Sequence, residues 1–550
     1  MKASDLFVKQ MEEEGVEYIF TVPGEENLDL LESLRNSSIK VITNRHEQTS
    51  AFMAATYGRL TGRAGVCMAT LGPGATNLIT GIAHAHLGGM PLVAITGQKA
   101  IREKWQANFQ VLDIVHMMTP ITKHAVQIRG PKSIPKEVRE AFKWAEMERQ
   151  GACHIELPED VASEKVEEKK YNPQKRTQIR RPVADTVAVA RAAEQIRHAK
   201  NPIIIVSNNG QRNSVRKALQ KFVEQTGLYV IHTQLGKGVL GDDHPNSLYA
   251  FGIHKKDYVN CVVEKADLII TIGYTTVEHP PSIWNRELNK TILHIDFNAA
   301  YHDIYYAPEC ELVGDIGTSL DMLGKELTDY IHKGEYEQKT KEKLNKVLFE
   351  EGAEDDNFPT RPRRIVSDVR KVLGHDDILA LDNGIYKMWF SRHYPTYNIG
   401  TFLLDNTLAS MGAGLPMGMT AKLLNPKKKV LVVTGDGGLI MGDADFETAV
   451  RLKLNVVVLI VNDNGYGFIK WKQQNHGFKN FALDYTNPDF VKYAESFGAK
   501  GYKINKTEEL IPTLKKAFKQ SGPVIIDLPI DYSENKKVWS EELGGMVCDT

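Results

Sequence analysis

Residues 428–467 read KKVLVVTGDGGLIMGDADFETAVRLKLNVVVLIVNDNGYG and carry the strongest structural signal in the chain. Two aliphatic, β-branched runs, 429–434 and 456–461, have the composition of buried strands. About ten residues between them have the pattern of a helix, with Asp443 as the predicted N-cap. The stretch therefore predicts a strand, a crossover helix and a second strand parallel to the first.

An acidic residue follows each of these predicted strands. Asp463 lies 27 residues after its counterpart, about the length of one crossover, so both side chains can face one ligand beyond the strand ends. Two carboxylates suit Mg²⁺, and neighbouring glycines let the backbone approach a diphosphate. The spacing predicts a magnesium–diphosphate site, although each turn alone has the composition of an ordinary tight turn. The first strand leads into the sharp turn Gly435-Asp436-Gly437-Gly438.

The overall composition is that of a globular protein with several domains. The chain has 550 residues, 42% hydrophobic and 25% charged, and its formal net charge is −1. This balance gives no field that would attract nucleic acid or an anionic membrane, and we find neither a signal peptide nor an apolar stretch of membrane-spanning length. Five scattered cysteines without a CxxC pair favour neither a disulfide framework nor a thiolate zinc site. We therefore expect a soluble protein in a reducing, cytoplasmic setting, without nucleic-acid or membrane partners.

Two charged stretches, 163–181 and 330–363, divide the chain into thirds and are expected to be solvated connections, although the Lys/Glu-rich part of the second could be a solvated helix. In each third, short β-branched runs alternate with amphipathic stretches, as in parallel sheets covered by helices. We predict an α/β protein of three domains, each a mostly parallel sheet flanked by helices, with the boundaries 1–165, 184–330 and 360–550. The predicted strands are 16–22, 39–43, 65–70, 92–96, 202–206, 229–232, 268–272, 291–295, 378–381, 429–434, 456–461 and 524–527, and the predicted helices of the first third are 27–34, 47–60 and 76–87.

The segment around Asp436 and Asp463 resembles the cofactor motif of thiamin-diphosphate enzymes, a GDG followed about one crossover later by an acidic or amide residue and Asn. Neither a Walker A lysine motif nor a complete GxGxxG pattern is present there. The resemblance implies that Asp436, Asp463 and the carbonyl of Gly465 bind the metal. It also implies cofactor contacts for Gly435, Gly437 and Gly438.

Glu47 is the candidate for the acid that such a cofactor needs. A thiamin cofactor is activated when a protein carboxylic acid hydrogen-bonds the N1′ atom of its pyrimidine. Glu47 follows the predicted strand 39–43 and opens a helix rich in small and apolar residues. By itself, an acidic residue at a helix start would only complement the helix dipole. The predicted diphosphate site makes cofactor activation the better interpretation.

Further stretches are similar to the family of acetolactate synthases and pyruvate oxidases, so that the likeness covers nearly the whole chain. Several of them, in the middle and last thirds, resemble the catabolic acetolactate synthases in particular. The family likeness rests on 22–25 (VPGE), 45–47 (RHE), 71–77 (LGPGATN), 109–110 (FQ) and 411–416 (MGAGLP), and the catabolic likeness on 272–274, 277–278, 283–285, 463–466 and 494–501.

The resemblance implies roles for four more residues. Met411 would lie beneath the thiazolium ring and hold the cofactor bent, unless it only packs in a core. Gly384 matches a turn near the pyrimidine. Gly24 and Gln110 match positions lining the reaction chamber, where donors could stabilise a developing oxyanion, although Gln110 could also be a surface amide. Residues 408–410 (LAS) stand where the catabolic branch commonly has glutamines, in the region of the acceptor pocket.

The implied activity is acetolactate synthesis, in which pyruvate loses CO₂ and is joined to a second pyruvate. The implied cofactors are thiamin diphosphate and Mg²⁺. The catabolic branch works without FAD, so the resemblance implies no FAD here, although residues 236–238 and 243–245 recur in FAD-binding relatives too. The family's site lies between two chains, which implies a homodimer at least, a homotetramer as a dimer of dimers, and no regulatory subunit.

Three alternatives remain from the sequence. The nearest is another thiamin-dependent 2-keto-acid enzyme: a pyruvate decarboxylase, a pyruvate oxidase or a lyase with a different acceptor. The second is a dinucleotide-dependent oxidoreductase, but this sequence lacks the complete glycine motif that binds the dinucleotide in that class. The third is a non-catalytic α/β scaffold whose acidic loops only bind Mg²⁺, and its Mg²⁺ binding would not depend on Glu47.

Overall fold

The computed structural model describes residues 1–101, 108–167, 172–254, 256–543, 546 and 548. Within these residues the chain forms three six-stranded sheets, in which all neighbouring strands run parallel. The predicted fold class, α/β with parallel sheets flanked by helices, is confirmed. No helix of the described residues is long and apolar enough to cross a membrane.

The first sheet has continuous apolar strands at its centre and helices on its faces. Its strands are β1 (Tyr18–Thr21), β2 (Lys40–Thr43), β3 (Gly65–Ala69), β4 (Leu92–Gln98), β5 (His124–Gln127) and β6 (Ala152–Pro158). Its helices are α1 (Ala3–Glu14), α2 (Leu28–Leu34), α3 (Glu47–Thr61), α4 (Gly72–Leu87), α5 (Ile114–Met118), α6 (Ile134–Glu146) and α7 (Glu159–Ser163). The strand order is β2-β1-β3-β4-β6-β5.

The second sheet is built in the same way from the middle of the chain. Its strands are β7 (Pro202–Val206), β8 (Val230–His232), β9 (Ser247–Ala250), β10 (Leu268–Ile272), β11 (Thr291–Asp296) and β12 (Cys310–Val313). Its helices are α8 (Thr186–His198), α9 (Asn213–Thr226), α10 (Tyr258–Lys265), α11 (Ile316–Glu326) and α12 (Glu335–Asn345). The strand order is β12-β11-β10-β7-β8-β9.

The third sheet contains the acidic loops. Its strands are β13 (Ile378–Leu381), β14 (Phe402–Leu403), β15 (Val430–Gly435), β16 (Val457–Asn462), β17 (Lys500–Lys503) and β18 (Val524–Pro529), in the order β14-β13-β15-β16-β18-β17. The helices of this part of the chain are α13 (Pro362–Val372), α14 (Ile385–His393), α15 (Gly414–Leu424), α16 (Asp436–Ile440), α17 (Phe446–Arg451), α18 (Gly467–Asn475), α19 (Phe490–Ser496) and α20 (Leu510–Ala517).

The chain divides into two compact units that do not follow the thirds of the sequence. One unit combines Met1–Arg180 with two later stretches, Thr407–Pro426 and Gly442–Leu454, and the other holds the remaining residues. The first unit thus takes α15 and α17 from the last third. The Thr420 hydroxyl donates to the carbonyl of Met53 in α3 at 3.3 Å. The domain boundaries 1–165, 184–330 and 360–550 remain a prediction.

The stretch 330–363 contains the helix that its Lys/Glu-rich part allowed, but this helix also buries an apolar face, which was not expected. Its Lys/Glu-rich portion forms α12, and residues 346–350 continue as a wider helical turn. Leu344 and Leu348 are 0% and 4% exposed and belong to a core beside the second sheet. Two apolar residues four positions apart lie on one helix face, which is enough to dock a helix whose other faces are charged.

The expectation that the cysteines form no disulfide is wrong for one pair. Cys261 in α10 is bonded to Cys548, 287 residues later, while Cys67, Cys153 and Cys310 are buried free thiols. Sequence spacing gave no sign of this bond because it joins positions that only the tertiary fold brings together.

Two local predictions within residues 428–467 also need correction. The predicted sharp turn after β15 is instead the start of α16, since the strand runs to Gly435 and the helix begins at Asp436. The predicted helix from Asp443 begins as one tight turn, 443–445, and becomes α17 only at Phe446. Asp445, and not the predicted Asp443, makes the hydrogen bonds at this helix start. Its Oδ1 accepts from the Asn44 amide at 3.0 Å and from the Thr448 hydroxyl at 2.8 Å.

Candidate functional site

The carboxyl ends of β13, β15 and β16 lie side by side in the third sheet. The ladder pairs Gly435 of β15 with Val461 of β16, so the two strands end nearly level. On the other side of β15, the backbone N–H of Asp382 donates to the carbonyl of Val433 at 3.0 Å. Three loops therefore begin along one edge of the sheet, which is where ligands bind in open parallel sheets.

The two predicted metal-binding carboxylates lie on adjacent loops of this edge. Asp436 is 1% exposed, and its Oδ2 accepts from the Asn487 amide at 2.7 Å. Burial, together with the negative charge of Asp436, raises the pKa of Asp463 to about 7, which Lys470 opposes. The folded chain thus holds two partly desolvated carboxylates close enough to repel each other. A divalent cation between them would remove that repulsion.

The loop after β16 has a tightly constrained backbone. Asn464 adopts a left-handed conformation with φ +52°, which Asn tolerates better than most residues. A Cβ on Gly467 would lie 2.4 Å from Oδ2 of Asp463, so a larger residue at this position would displace that carboxylate. Gly465, whose carbonyl is the third predicted ligand, is buried and forms a β-bridge with Asp484.

The glycines after β15 lie against polar side chains of the neighbouring loop. A Cβ on Gly438 would lie 2.6 Å from Oδ2 of Asp382, an oxygen that also accepts from the Thr434 hydroxyl at 3.0 Å. Gly437 and Gly435 belong to the same helix start, where the first backbone N–H groups of a helix have no intrahelical partner. Such donors suit a diphosphate oxygen.

Glu47 lies in the first unit, at the start of α3. Its Oε2 accepts from the Asn77 amide of α4 at 2.9 Å, and its Oε1 lies 3.4 Å from where a Cβ on Gly74 would be. The carboxyl is half-buried and faces the loop between β3 and α4. The segments around Glu47 and Asn77 are thus neighbours in space.

Gly24 and Gln110 approach the same loop. A Cβ on Gly24 would lie 2.3 Å from Cβ of Thr70, so the backbone there comes as close as a glycine allows. Gln110 is exposed, has a positive φ of 60°, and lines a cleft of about 460 Å³ with Gly72 and residues at the start of α4. The exposure of Gln110 agrees with a surface amide, and its position in the cleft agrees with a residue that lines the reaction chamber.

Met411 and Gly384 lie in different units. Met411, in the first unit, is half-buried just before α15, whereas Leu415 in that helix is 3% exposed. Gly384 precedes α14 in the second unit, and a Cβ there would lie 2.4 Å from the Tyr386 ring. The first unit thus holds Gly24, Glu47, Gln110 and Met411, and the second holds Gly384, Gly435, Asp436, Gly437, Gly438, Asp463 and Gly465.

Sequence reasoning missed two polar residues at the acidic loops. Asn487 contacts both loops, and Asn462 at the end of β16 donates to Oδ1 of Asp527 on β18 at 3.0 Å. Asn462 belongs to the quoted motif but had no assigned part. Asn487 precedes a proline in a loop, and its local sequence is that of any turn.

Models of one protein family match all three parts of the chain. They are described as the thiamine pyrophosphate enzyme N-terminal TPP binding domain, central domain and C-terminal TPP binding domain, and they match residues 1–117, 189–323 and 382–528. Thiamine pyrophosphate is thiamin diphosphate. The chain therefore belongs to the thiamine pyrophosphate enzymes.

Curated relatives narrow this class to the acetolactate synthases. An acetolactate synthase of Bacillus subtilis is 33% identical over 98% of this chain and 95% of its own length. A catabolic acetolactate synthase of Raoultella terrigena is 34% identical over 97% and 95%, and a probable acetolactate synthase large subunit of Methanococcus aeolicus is 31% identical over 97% and 92%. The predicted family is confirmed.

The residues at the strand ends fit the cofactor of this family. Asp436 and Asp463 supply hard oxygen donors, and the crowded Asp463 carboxyl favours a cation. Gly437 and Gly438 carry no side chains of their own at the start of α16, so a diphosphate could approach the N–H groups there. Carboxylates for a metal ion and backbone N–H groups for a diphosphate are thus both present on one edge of the sheet.

Proposed function

We propose that this protein is an acetolactate synthase, which converts two pyruvates into 2-acetolactate and CO₂ with thiamin diphosphate and Mg²⁺. The observation that carries the proposal is the pair Asp436 and Asp463 at level ends of β15 and β16, in a chain that belongs to the acetolactate synthase family. When bound, thiamin diphosphate supplies the electron sink for decarboxylation and for attack on the second pyruvate.

The acidic loops would hold the cofactor's diphosphate through Mg²⁺. Asp436, Asp463 and the carbonyl of Gly465 are the proposed ligands, with the N–H groups at the start of α16 (435–438) directed at phosphate oxygens. Mg²⁺ is a hard cation that prefers oxygen donors, which agrees with this set of groups.

Glu47 would hold a proton at its carboxyl and share it with the cofactor's pyrimidine. The Asn77 amide donates to Oε2, which fixes the orientation of the carboxyl and leaves Oε1 for the cofactor. Met411 would support the thiazolium ring, and Gly384 would leave room beside the pyrimidine. Gly24 and Gln110 would line the space in which the pyruvates react and exclude water from it.

The test is product analysis with purified protein, thiamin diphosphate, Mg²⁺ and pyruvate. We expect 2-acetolactate, or acetoin after its decarboxylation, together with CO₂. CO₂ with acetaldehyde as the sole co-product would instead indicate a decarboxylase. Flavin absorbance of the purified protein decides whether FAD is present, and light scattering decides between the proposed homodimer, the homotetramer and an assembly with another subunit.

Replacing Glu47 with Gln tests its role directly. Glu47→Gln keeps the size of the side chain but removes the acid, so we expect acetolactate formation to fall at least about 100-fold. Binding of thiamin diphosphate and the unfolding midpoint should change little. Glu194→Gln on α8 is the matched control, because that residue is exposed on a helix of the second unit and belongs to no part of the proposed site. Wild-type activity in Glu47→Gln would contradict the assignment.

A further inference from the structure

We propose that Asn487 is a positioning residue that holds the two acidic loops in the arrangement that binds Mg²⁺. Its amide nitrogen lies 2.7 Å from Oδ2 of Asp436, 3.1 Å from Oδ1 of Asn464 and 3.2 Å from Oδ1 of Asn462. One side chain thus bridges the loop after β15 and the loop after β16. The inference rests on the proposed function of this edge as the metal–diphosphate site.

The surroundings fix which end of the amide faces the loops. All three neighbouring atoms are oxygens that accept hydrogen bonds, so the nitrogen must point toward them and the amide oxygen away. The amide has two hydrogens for three acceptors, and its shortest contact goes to the charged Asp436. Asn487 therefore holds the carboxylate of Asp436 through Oδ2, and Oδ1 is the oxygen that we assign to the cation.

Asn487 is itself held firmly between two buried residues. Leu483 before it is 8% exposed and Phe490 after it is 1% exposed. Pro488 favours an extended backbone at Asn487, and the carboxylate of Asp489 caps α19 by accepting from the N–H groups of residues 491 and 492. The segment that carries the amide is therefore fixed at both ends, as a positioning residue requires.

The contact with Asn464 explains the backbone of the second loop. Asn464 has a left-handed conformation that costs free energy unless the surroundings hold it. Its side-chain oxygen accepts from Asn487, while its own N–H donates to Oδ1 of Asn462 at 3.2 Å. Asp463 and Gly465 flank this residue, so the amide of Asn487 controls how both proposed ligands are presented.

A neutral donor suits this position better than a charged one. A lysine or arginine at Asn487 would neutralise Asp436 and compete with the cation, whereas an amide orients the carboxylate and leaves both negative charges in place. Groups that orient ligands in this way commonly change metal affinity by a factor of 10 to 100.

The test measures metal binding directly, with Mg²⁺ titrated calorimetrically into protein saturated with thiamin diphosphate. For Asn487→Ala we expect an apparent affinity for Mg²⁺ about 10- to 100-fold weaker, with kcat largely restored at saturating Mg²⁺ and KM for pyruvate changed less than about twofold. Asn487→Gln keeps the amide on a longer side chain and should recover part of the affinity. Equal losses in the Ala and Gln variants, or wild-type affinity in Asn487→Ala, would overturn the proposal.

Asn480→Ala provides the matched control. Its amide also donates to a carboxylate, Asp484 Oδ2 at 2.6 Å, in the same exposed loop but without contact to Asp436. We expect Mg²⁺ affinity within about twofold of wild type. If Asn487→Ala is unstable, Asn487→Leu removes the donor at nearly constant shape and decides the question by the same titration.

Failure of this inference is distinguishable from failure of the proposed function. If wild-type protein makes acetolactate while Asn487→Ala binds Mg²⁺ normally, only the inference is wrong. If the wild type makes no acetolactate but binds Mg²⁺ with thiamin diphosphate, and Asn487→Ala weakens that binding, the inference holds and the activity must be reassigned.

Discussion

Single residues in this protein often have properties that depend on burial. His279 is 6% exposed, and its ring packs edge-on against Phe251 with the two ring centroids 4.7 Å apart. Its Nε2 has no hydrogen-bond partner within the described residues. Burial alone lowers the pKa of His279 from 6.5 to about 4. The ring is therefore neutral in the folded protein over a range in which the unfolded chain would protonate it.

This difference predicts a loss of stability in mild acid. Between pH 6.5 and about 4 the unfolded state binds a proton that the folded state excludes, so the free energy of unfolding falls as the pH falls through this window. The full effect is about 3 kcal/mol. His279→Gln should be less stable at neutral pH but show a shallower decline in unfolding midpoint from pH 7 to pH 4.5. His302→Gln, with an exposed ring (62%), is the control, and equal slopes in all three proteins would contradict the prediction.

The candidate site shows which single residues a sequence can reveal. Asp436 and Asp463 were predicted because their spacing matches one crossover, and the ladder between β15 and β16 turns that spacing into proximity. Asn487 could not be predicted in this way, since it reaches the loops through the packing of Leu483 and Phe490. An isolated amide in a loop carries no spacing that would identify its partners.

At the scale of elements, the helices α3 and α4 pack very closely against each other. A Cβ on Gly81 of α4 would lie 2.4 Å from Cβ of Ala51 and 3.2 Å from the carbonyl of Gln48 in α3. The two helices therefore touch almost backbone to backbone. Glu47, the first residue of α3, depends on this contact for its place beside Asn77.

Gly81→Ala should destabilise the protein even though alanine favours helices by about 1 kcal/mol over glycine. Overpacking costs about 1–3 kcal/mol, so we expect a net loss seen as a lower urea midpoint, together with reduced acetolactate formation because α3 must shift. Gly130→Ala, where an added Cβ meets nothing within 4 Å, is the control. A stabilised Gly81→Ala would show that the helices can separate without strain.

Most interior strands were predicted and most edge strands were missed, but the interior strand β6, whose sequence ACHIELP mixes apolar and polar residues, was missed too. The predicted strands 202–206, 268–272 and 378–381 coincide with β7, β10 and β13, because strands buried on both faces are continuous apolar runs. The short edge strands β14 and β17 were missed. β14 has only two residues, and β17 has the sequence KGYK, so neither forms a continuous apolar run. Edge strands are defined by their neighbours more than by their own residues.

At the scale of the whole molecule, one covalent bond spans much of the chain. The Cys261–Cys548 disulfide closes a loop with a sequence separation of 287 residues. Closing a long loop restricts the unfolded chain, and such bonds typically contribute about 2–4 kcal/mol. The bond ties the end of the described chain to α10.

We therefore expect reduction to lower the thermal unfolding midpoint by several degrees. Cys261→Ser with Cys548→Ser should show the lower midpoint without reductant and no further change when reductant is added. A peptide linked through Cys261 and Cys548 should appear in a non-reduced digest by mass spectrometry. Finding both cysteines alkylated before any reduction would contradict this prediction.

The first unit is assembled from stretches that are far apart in the sequence, with α15 and the 442–454 stretch packed against α3 and the end of β2. The Asp445 carboxylate, which also accepts from the Arg45 N–H at 2.9 Å, belongs to the same surface as the segment leading to Glu47. A chimera with a relative that exchanges only residues 1–165 would join mismatched halves of this surface. Residues 407–426 and 442–454 should therefore be transplanted with them, so that α3 and the end of β2 keep the partners with which they pack in the first unit.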